Sequence, residues 1–103
     1  LDENFVDGWI NLGIIYGEAG RYDDALMAME KALALDPLSA KLHNNIGITY
    51  KRKGFFLASN GGARQAREPI EKAARHYRRA VELDPGYVQA ANNLKVVEAW
   101  LAQ

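Results

Sequence analysis

A chain of 103 residues with 13 basic and 13 acidic side chains, 49% hydrophobic residues and no cysteine can build one modest core. This composition excludes a disulfide framework and thiolate chemistry, and no apolar run reaches the roughly 20 residues of a membrane span. The net charge of zero hides a segregation: residues 1–37 carry eight acids and two bases, residues 38–80 ten bases and two acids, an asymmetry that can steer an oppositely charged partner.

Residues 1–5 read as the tail of a preceding repeat, with Leu1 as a truncated start. There is no secretory signal peptide, and the lack of cysteine suits a reducing, cytoplasmic setting. Trp9, Leu12, Ile15, Tyr16 and Ala19 then recur at helical intervals, which predicts a helix over 6–19 with one apolar stripe. Gly20 ends it and Tyr22-Asp23-Asp24 opens the next, over 22–35, whose buried stripe is Ala25, Leu26, Met29, Ala32 and Leu33. Gly13 and Ala25 are small, as two closely approaching antiparallel helices require. Asp36-Pro37 stops the second helix, because proline disfavours helix in the residue before it. A second pair is expected over 40–53 and 69–83, and a last helix over 87–101 with Val96, Val97, Trp100 and Leu101 on its apolar side.

Between the members of the second pair lie residues 55–68, centred on the turn signal Ser59-Asn60-Gly61-Gly62. Two arrangements fit. Seven residues on each side are roughly two helical turns, so both helices can lengthen without changing which faces meet. Alternatively, Pro69 starts the returning helix at its first position and leaves 55–68 as a loop.

Three segments align: Leu1-Asp2-Glu3 through Gly13, Leu35-Asp36-Pro37 through Gly47, and Leu83-Asp84-Pro85 through Lys95. The offsets are 34 and 48 residues, so the second unit holds 14 extra. The first unit reads Trp9-x2-Leu12-Gly13-x2-Tyr16, then Ala25-x3-Met29, Ala32 and Pro37. The second reads Ile46-Gly47-x2-Tyr50, then Ala73-x3-Tyr77, Ala80 and Pro85, with His43 in place of the tryptophan. This pattern resembles the tetratricopeptide repeat (TPR). The resemblance implies an all-α solenoid of helical hairpins, about two and a half repeats: 6–39, 40–87 with the insertion at 55–68, and a terminal helix over 88–103. Such hairpins bury their faces by stacking on neighbours. Lys95 stands where a small residue is usual, which a helix without a partner tolerates.

A narrower resemblance is to the photosystem I assembly TPR family of cyanobacteria and chloroplasts. That family has a lengthened final repeat followed by a lone helix, with the insertion after the same glycine and a pair like Leu94-Lys95. The chain departs from it in helix 69–83, which carries Tyr77 but no tryptophan.

Asn11, Asn45 and Asn93 hold one equivalent position in successive units. The TPR resemblance puts that position in the inner groove, where an amide supplies donor and acceptor to a peptide backbone; asparagine is also simply common there in the family. Asn44 and Asn92 stand beside them. Lys41, Lys51 and Arg52 share the central helix and are expected at the groove or its rim, facing either a carboxylate or solvent. The carboxylate clamp of chaperone-binding TPR proteins is not matched: its positions hold Ile10, Ile14, Gln89 and Asn93, and only Asn45 fits.

Arg64, Arg67, Arg75, Arg78 and Arg79 are interrupted by acids, so no nucleic-acid surface is expected. His43 and His76 are 33 positions apart without a ligand cluster, so neither a metal nor another cofactor is expected. No phosphate loop and no nucleophile-and-base set appear. The chain therefore reads as a non-catalytic scaffold that holds a protein segment in its groove, with an acidic segment as one candidate. The other reading is a self-assembling structural protein joined through exposed stacking faces and opposite charged halves.

Overall fold

The computed structural model describes residues 3–103, all of whose regular elements are α-helices. In chain order these are α1 (Glu3–Glu18), α2 (Tyr22–Leu35), α3 (Ala40–Ser59), α4 (Ala63–Leu83) and α5 (Val88–Leu101). Helices α1 and α2 form one antiparallel hairpin, α3 and α4 a second, and α5 packs alone on α4 while touching α3. The slab measures 42 × 30 × 17 Å. Residues 1 and 2 of the expected N-terminal tail lie outside the described residues, and 3–5 form the start of α1.

Both hairpin turns close on a glycine with positive φ. Gly20 (φ 78°) lets the Arg21 N–H reach back to the Tyr16 carbonyl at 2.9 Å, and Gly61 (φ 84°) lets the Gly62 N–H reach Leu57 at 2.8 Å. These are the six-to-one bonds that satisfy the last carbonyls of a helix. Ser39 caps α3, its hydroxyl accepting from the Leu42 N–H at 3.1 Å.

The insertion is helical. Helix α3 runs to Ser59 and α4 begins at Ala63, six residues before the expected start at Pro69. Pro69 sits buried inside α4, where its missing N–H leaves the carbonyl of Gln65 without its helical partner. The local loss is tolerated because Ala66 and Ile70, on either side of it, are fully buried against Phe55, Leu57 and Ala58. Packing along the lengthened hairpin outweighs one lost hydrogen bond.

The two helices of this hairpin approach closely at two glycines of α3. A Cβ on Gly47 would stand 2.5 Å from Cε1 of Tyr77, and one on Gly54 would collide with the side chain of Ile70. In the first hairpin the equivalent Gly13 faces Met29, whose Cγ would be 2.7 Å from an added Cβ. Two clusters result. One joins Ala66, Ile70, Ala73, Ala74, Tyr77 and Val97; the other joins Leu26, Met29, Ala32, Leu42 and Ile46.

One expectation fails at the edge. The predicted stripe of α1 is not uniformly buried. Trp9 and Tyr16 are half-buried, but Leu12 is exposed and Ile15 is 64% exposed. No helix precedes α1 among the described residues, so its outer side has nothing to pack on.

Overpacking at the central contact gives a direct test. Gly47→Leu should lower stability by roughly 1–3 kcal/mol, read as a lower thermal midpoint. Tyr77→Phe should be neutral or stabilising. The Tyr77 hydroxyl is buried with no hydrogen-bond partner, and burial raises its pKa strongly. Removing an unpaired buried hydroxyl recovers a desolvation cost of about 1 kcal/mol or more.

Candidate functional site

Helix α3 supplies the middle of the concave face. Successive residues of a helix turn by about 100°, so Asn45 and Arg52, seven apart, share one stripe, with Lys41 and Ile48 close beside it. Lys51, six residues from Asn45, lies about 120° round the helix from it. Its ammonium is half-buried, and burial first, then the charge of Arg52, lowers its pKa.

Two depressions run along this face and meet at Asn45 and Ile48. The larger, about 590 Å³, is lined by Lys41, Asn44, Asn45, Ile48, Tyr87, Gln89, Asn92 and Asn93. The smaller, about 220 Å³, lies over the first hairpin and is lined by Ile14, Gly17, Glu18, Met29, Thr49 and Arg52 among others. The result is a groove with an amide-rich half and a half that is apolar at its floor and charged at its rim.

Six of the eight residues singled out from the sequence come together here: Lys41, Asn44, Asn45, Arg52, Asn92 and Asn93. Two do not. Lys51 lines neither depression. Asn11 is exposed on α1 one turn before Ile14 and lines neither depression. The apolar lining contributed by Ile48 and Tyr87 was not read from the sequence, although Ile48 follows Asn45 by three residues and its place on the stripe was open to inspection.

The amides are not equivalent. Asn44 is nearly buried, and its side-chain oxygen accepts from the Asn93 amide at 3.2 Å, across 49 residues of sequence. Asn44 thus fixes the orientation of Asn93. No side-chain hydrogen bond among the described residues occupies the Asn45 amide, while its backbone carbonyl accepts from the Thr49 hydroxyl at 3.0 Å. Asn92 is exposed.

Behind the groove, α3 and α4 are tied by a histidine pair. His43 Nδ1 and His76 Nδ1 are 3.0 Å apart, and His43 Nε2 is 3.1 Å from the Pro37 carbonyl. A carbonyl only accepts, so His43 carries its proton on Nε2, and its Nδ1 accepts a hydrogen bond from the Nδ1–H of His76. Tyr50 stacks on the far side of His76 with ring centroids 5.9 Å apart. His43, expected to replace a groove-edge tryptophan, is buried within this column. Burial, the nearby His43 and Arg75 push the His76 pKa down to about 4.

The pair makes stability depend on pH. Below about 6.5 the unfolded chain takes up a proton at His76 that the folded chain refuses until about pH 4. Its contribution is therefore present in full above 6.5 and lost as pH falls toward 4. Urea titrations should show the parent losing on the order of 1–2 kcal/mol more than His76→Gln between pH 7 and 5, allowing for screening at the exposed edge of the ring.

Comparison with known proteins agrees with the repeat geometry. A family model described as TPR repeat matches residues 13–54. Photosystem I assembly protein Ycf3 of Prochlorococcus marinus subsp. pastoris is 35% identical over 99 residues, covering 92% of this chain. The protein of the same name from Rippkaea orientalis is 32% identical over 87 residues, covering 84% of this chain and 50% of its own. This chain spans 57% of the length of the Prochlorococcus relative. Among solved structures, the first TPR of Spaghetti (RPAP3) bound to HSP90 peptide SRMEEVD covers the whole of both chains, with TM-score 0.50 and 27% identity.

Proposed function

This chain is a TPR helical-repeat protein that resembles the photosystem I assembly proteins, and on that premise we propose that it is a non-catalytic scaffold holding an extended protein segment in its concave groove during assembly of a larger complex. The observation that carries the reading is the continuous depression through Asn45, with asparagine amides at one end and Arg52 at the other. An amide offers a donor and an acceptor to any peptide backbone, so it grips a chain without reading its side chains. Lys41 and Arg52, neither of them in an ion pair among the described residues, favour a segment carrying acids.

The relatives bear on this in different ways. The Ycf3 proteins are described as assembling photosystem I, and similarity over part of their length supports an assembly role here. The Spaghetti structure holds an HSP90 peptide, which supports peptide binding by this arrangement of helices. Ile10, Ile14 and Gln89 at the carboxylate-clamp positions argue for a partner other than a chaperone tail. Among the described residues no helix is long and apolar enough to cross a membrane.

A second reading, association between copies, draws on the uncovered side of the first hairpin, where Phe5 is 65% and Ile15 64% exposed. Light scattering at rising salt separates two forms of it. Pairing of the charged halves weakens with salt, whereas contact through the apolar side does not.

Asn45→Ala tests the groove. Alanine favours helix, so circular dichroism and melting temperature should not change. A lost amide contact should cost on the order of 0.5–1.5 kcal/mol, a two- to tenfold weaker Kd for a captured peptide in isothermal titration. Equal affinity in parent and variant would overturn the groove reading.

A further inference from the structure

We propose that the chain carries a second protein-binding notch, between the inserted start of α4 and the end of α5, which takes an acidic segment anchored by an apolar side chain. The notch holds about 330 Å³ and is lined by Ala63, Arg64, Arg67, Trp100 and Gln103, near the lower limit of cavities that accept ligand groups. Its floor is the half-buried Trp100, which packs on the core cluster of Ala66, Ile70 and Val97. A rigid indole backed by a packed core and open on one side anchors an apolar side chain well.

Its rim is basic. Arg64 and Arg67 are three residues apart on α4 and so share a side. Arg67 Nη1 donates to the Leu101 carbonyl at 3.3 Å, which holds that guanidinium over the end of α5 and leaves its other N–H groups free. Arg64 makes no ion pair among the described residues. The neighbouring acids are occupied elsewhere: Glu68 pairs with Lys72 at 3.2 Å and Glu98 with Arg78 at 3.9 Å. Gly62 stands at the N-cap of α4 with no side chain to cap it, so the first N–H groups of the helix add positive potential beside Arg64.

Charge complementarity therefore selects a carboxylate-bearing segment. A nucleic acid fits less well. The basic side of α4 is broken by Glu68, Glu71 and Glu82, and the notch offers one ring where a strand needs successive stacking platforms. The notch is separate from the groove and owes its existence to the insertion, since Arg64 and Arg67 both belong to residues 55–68.

The test uses the full chain with Trp9→Phe, which leaves Trp100 as the sole indole. The probe is an acetylated decapeptide alternating aspartate with leucine. Titration should shift Trp100 emission, and the affinity should fall as salt rises. Arg64→Gln should weaken binding at least fivefold, while Asn45→Ala should leave it unchanged. Arg64→Glu, with unaltered circular dichroism, should reject the acidic peptide and accept one that alternates lysine with leucine. The proposal fails if millimolar peptide leaves Trp100 emission unmoved, if Arg64→Gln and Arg64→Glu bind like the parent, or if oligothymidylate binds more tightly than the peptide. Loss of binding in Asn45→Ala alone would assign the peptide to the groove and also refute the notch.

Discussion

The closeness of α3 to α4 is the constraint on which the rest depends. Two glycines of α3 let the Tyr77 ring and the Ile70 side chain lie against bare backbone. Side chains larger than hydrogen at those points would force the helices apart or tilt them. That spacing sets the distance over which His43 and His76 meet, and it presents Asn45 and Arg52 on the opposite, concave side of α3. The groove is thus a consequence of what happens behind it. The unpaired Tyr77 hydroxyl belongs to the same compromise: the ring fills the space over Gly47, and its polar end finds no partner there.

The insertion changes the molecule's reach without disturbing this logic. By lengthening both members of one hairpin it keeps their register, and the third glycine contact, Gly54 against Ile70, repeats the scheme of the first two. The extension is braced on the first hairpin as well. Lys53 bonds Asp23 at 2.8 Å, and Phe56 lies 6.2 Å from the Tyr22 ring, centroid to centroid. An exposed ion pair of this kind adds little stability; with the aromatic contact it fixes where the extension points.

Much of this was legible in the sequence. Apolar intervals, glycine and proline stops and the 34-residue offset located the helices, because each reports a local rule. The 48-residue offset revealed the insertion. Whether it was helix or loop rested on Pro69, where a local rule and distant packing pulled in opposite directions, and packing prevailed. The contacts that tie the site together were out of reach for a different reason. The Asn44–Asn93 bond and the His43–His76 pair join residues 49 and 33 positions apart, and neither residue type announces such a partner. Treating Asn44 and Asn93 as equal ligands therefore missed that one positions the other. Lys51, expected at the groove or its rim, is half-buried and lines neither depression. The stripe of α1 was read correctly as apolar, but periodicity cannot say whether a neighbour is present to cover it.

The slab is 17 Å thick, and its helices contact one another almost in chain order. A globular core of the same length would couple most positions to most others, so that change in one region would burden the whole. Here each helix answers mainly to the next one along. Residues on the concave face can drift toward a new partner while those at the end of α5 stay as they are, and the reverse holds equally. The architecture gives evolution a set of loosely linked surfaces to adjust one at a time, at small cost to the fold that carries them.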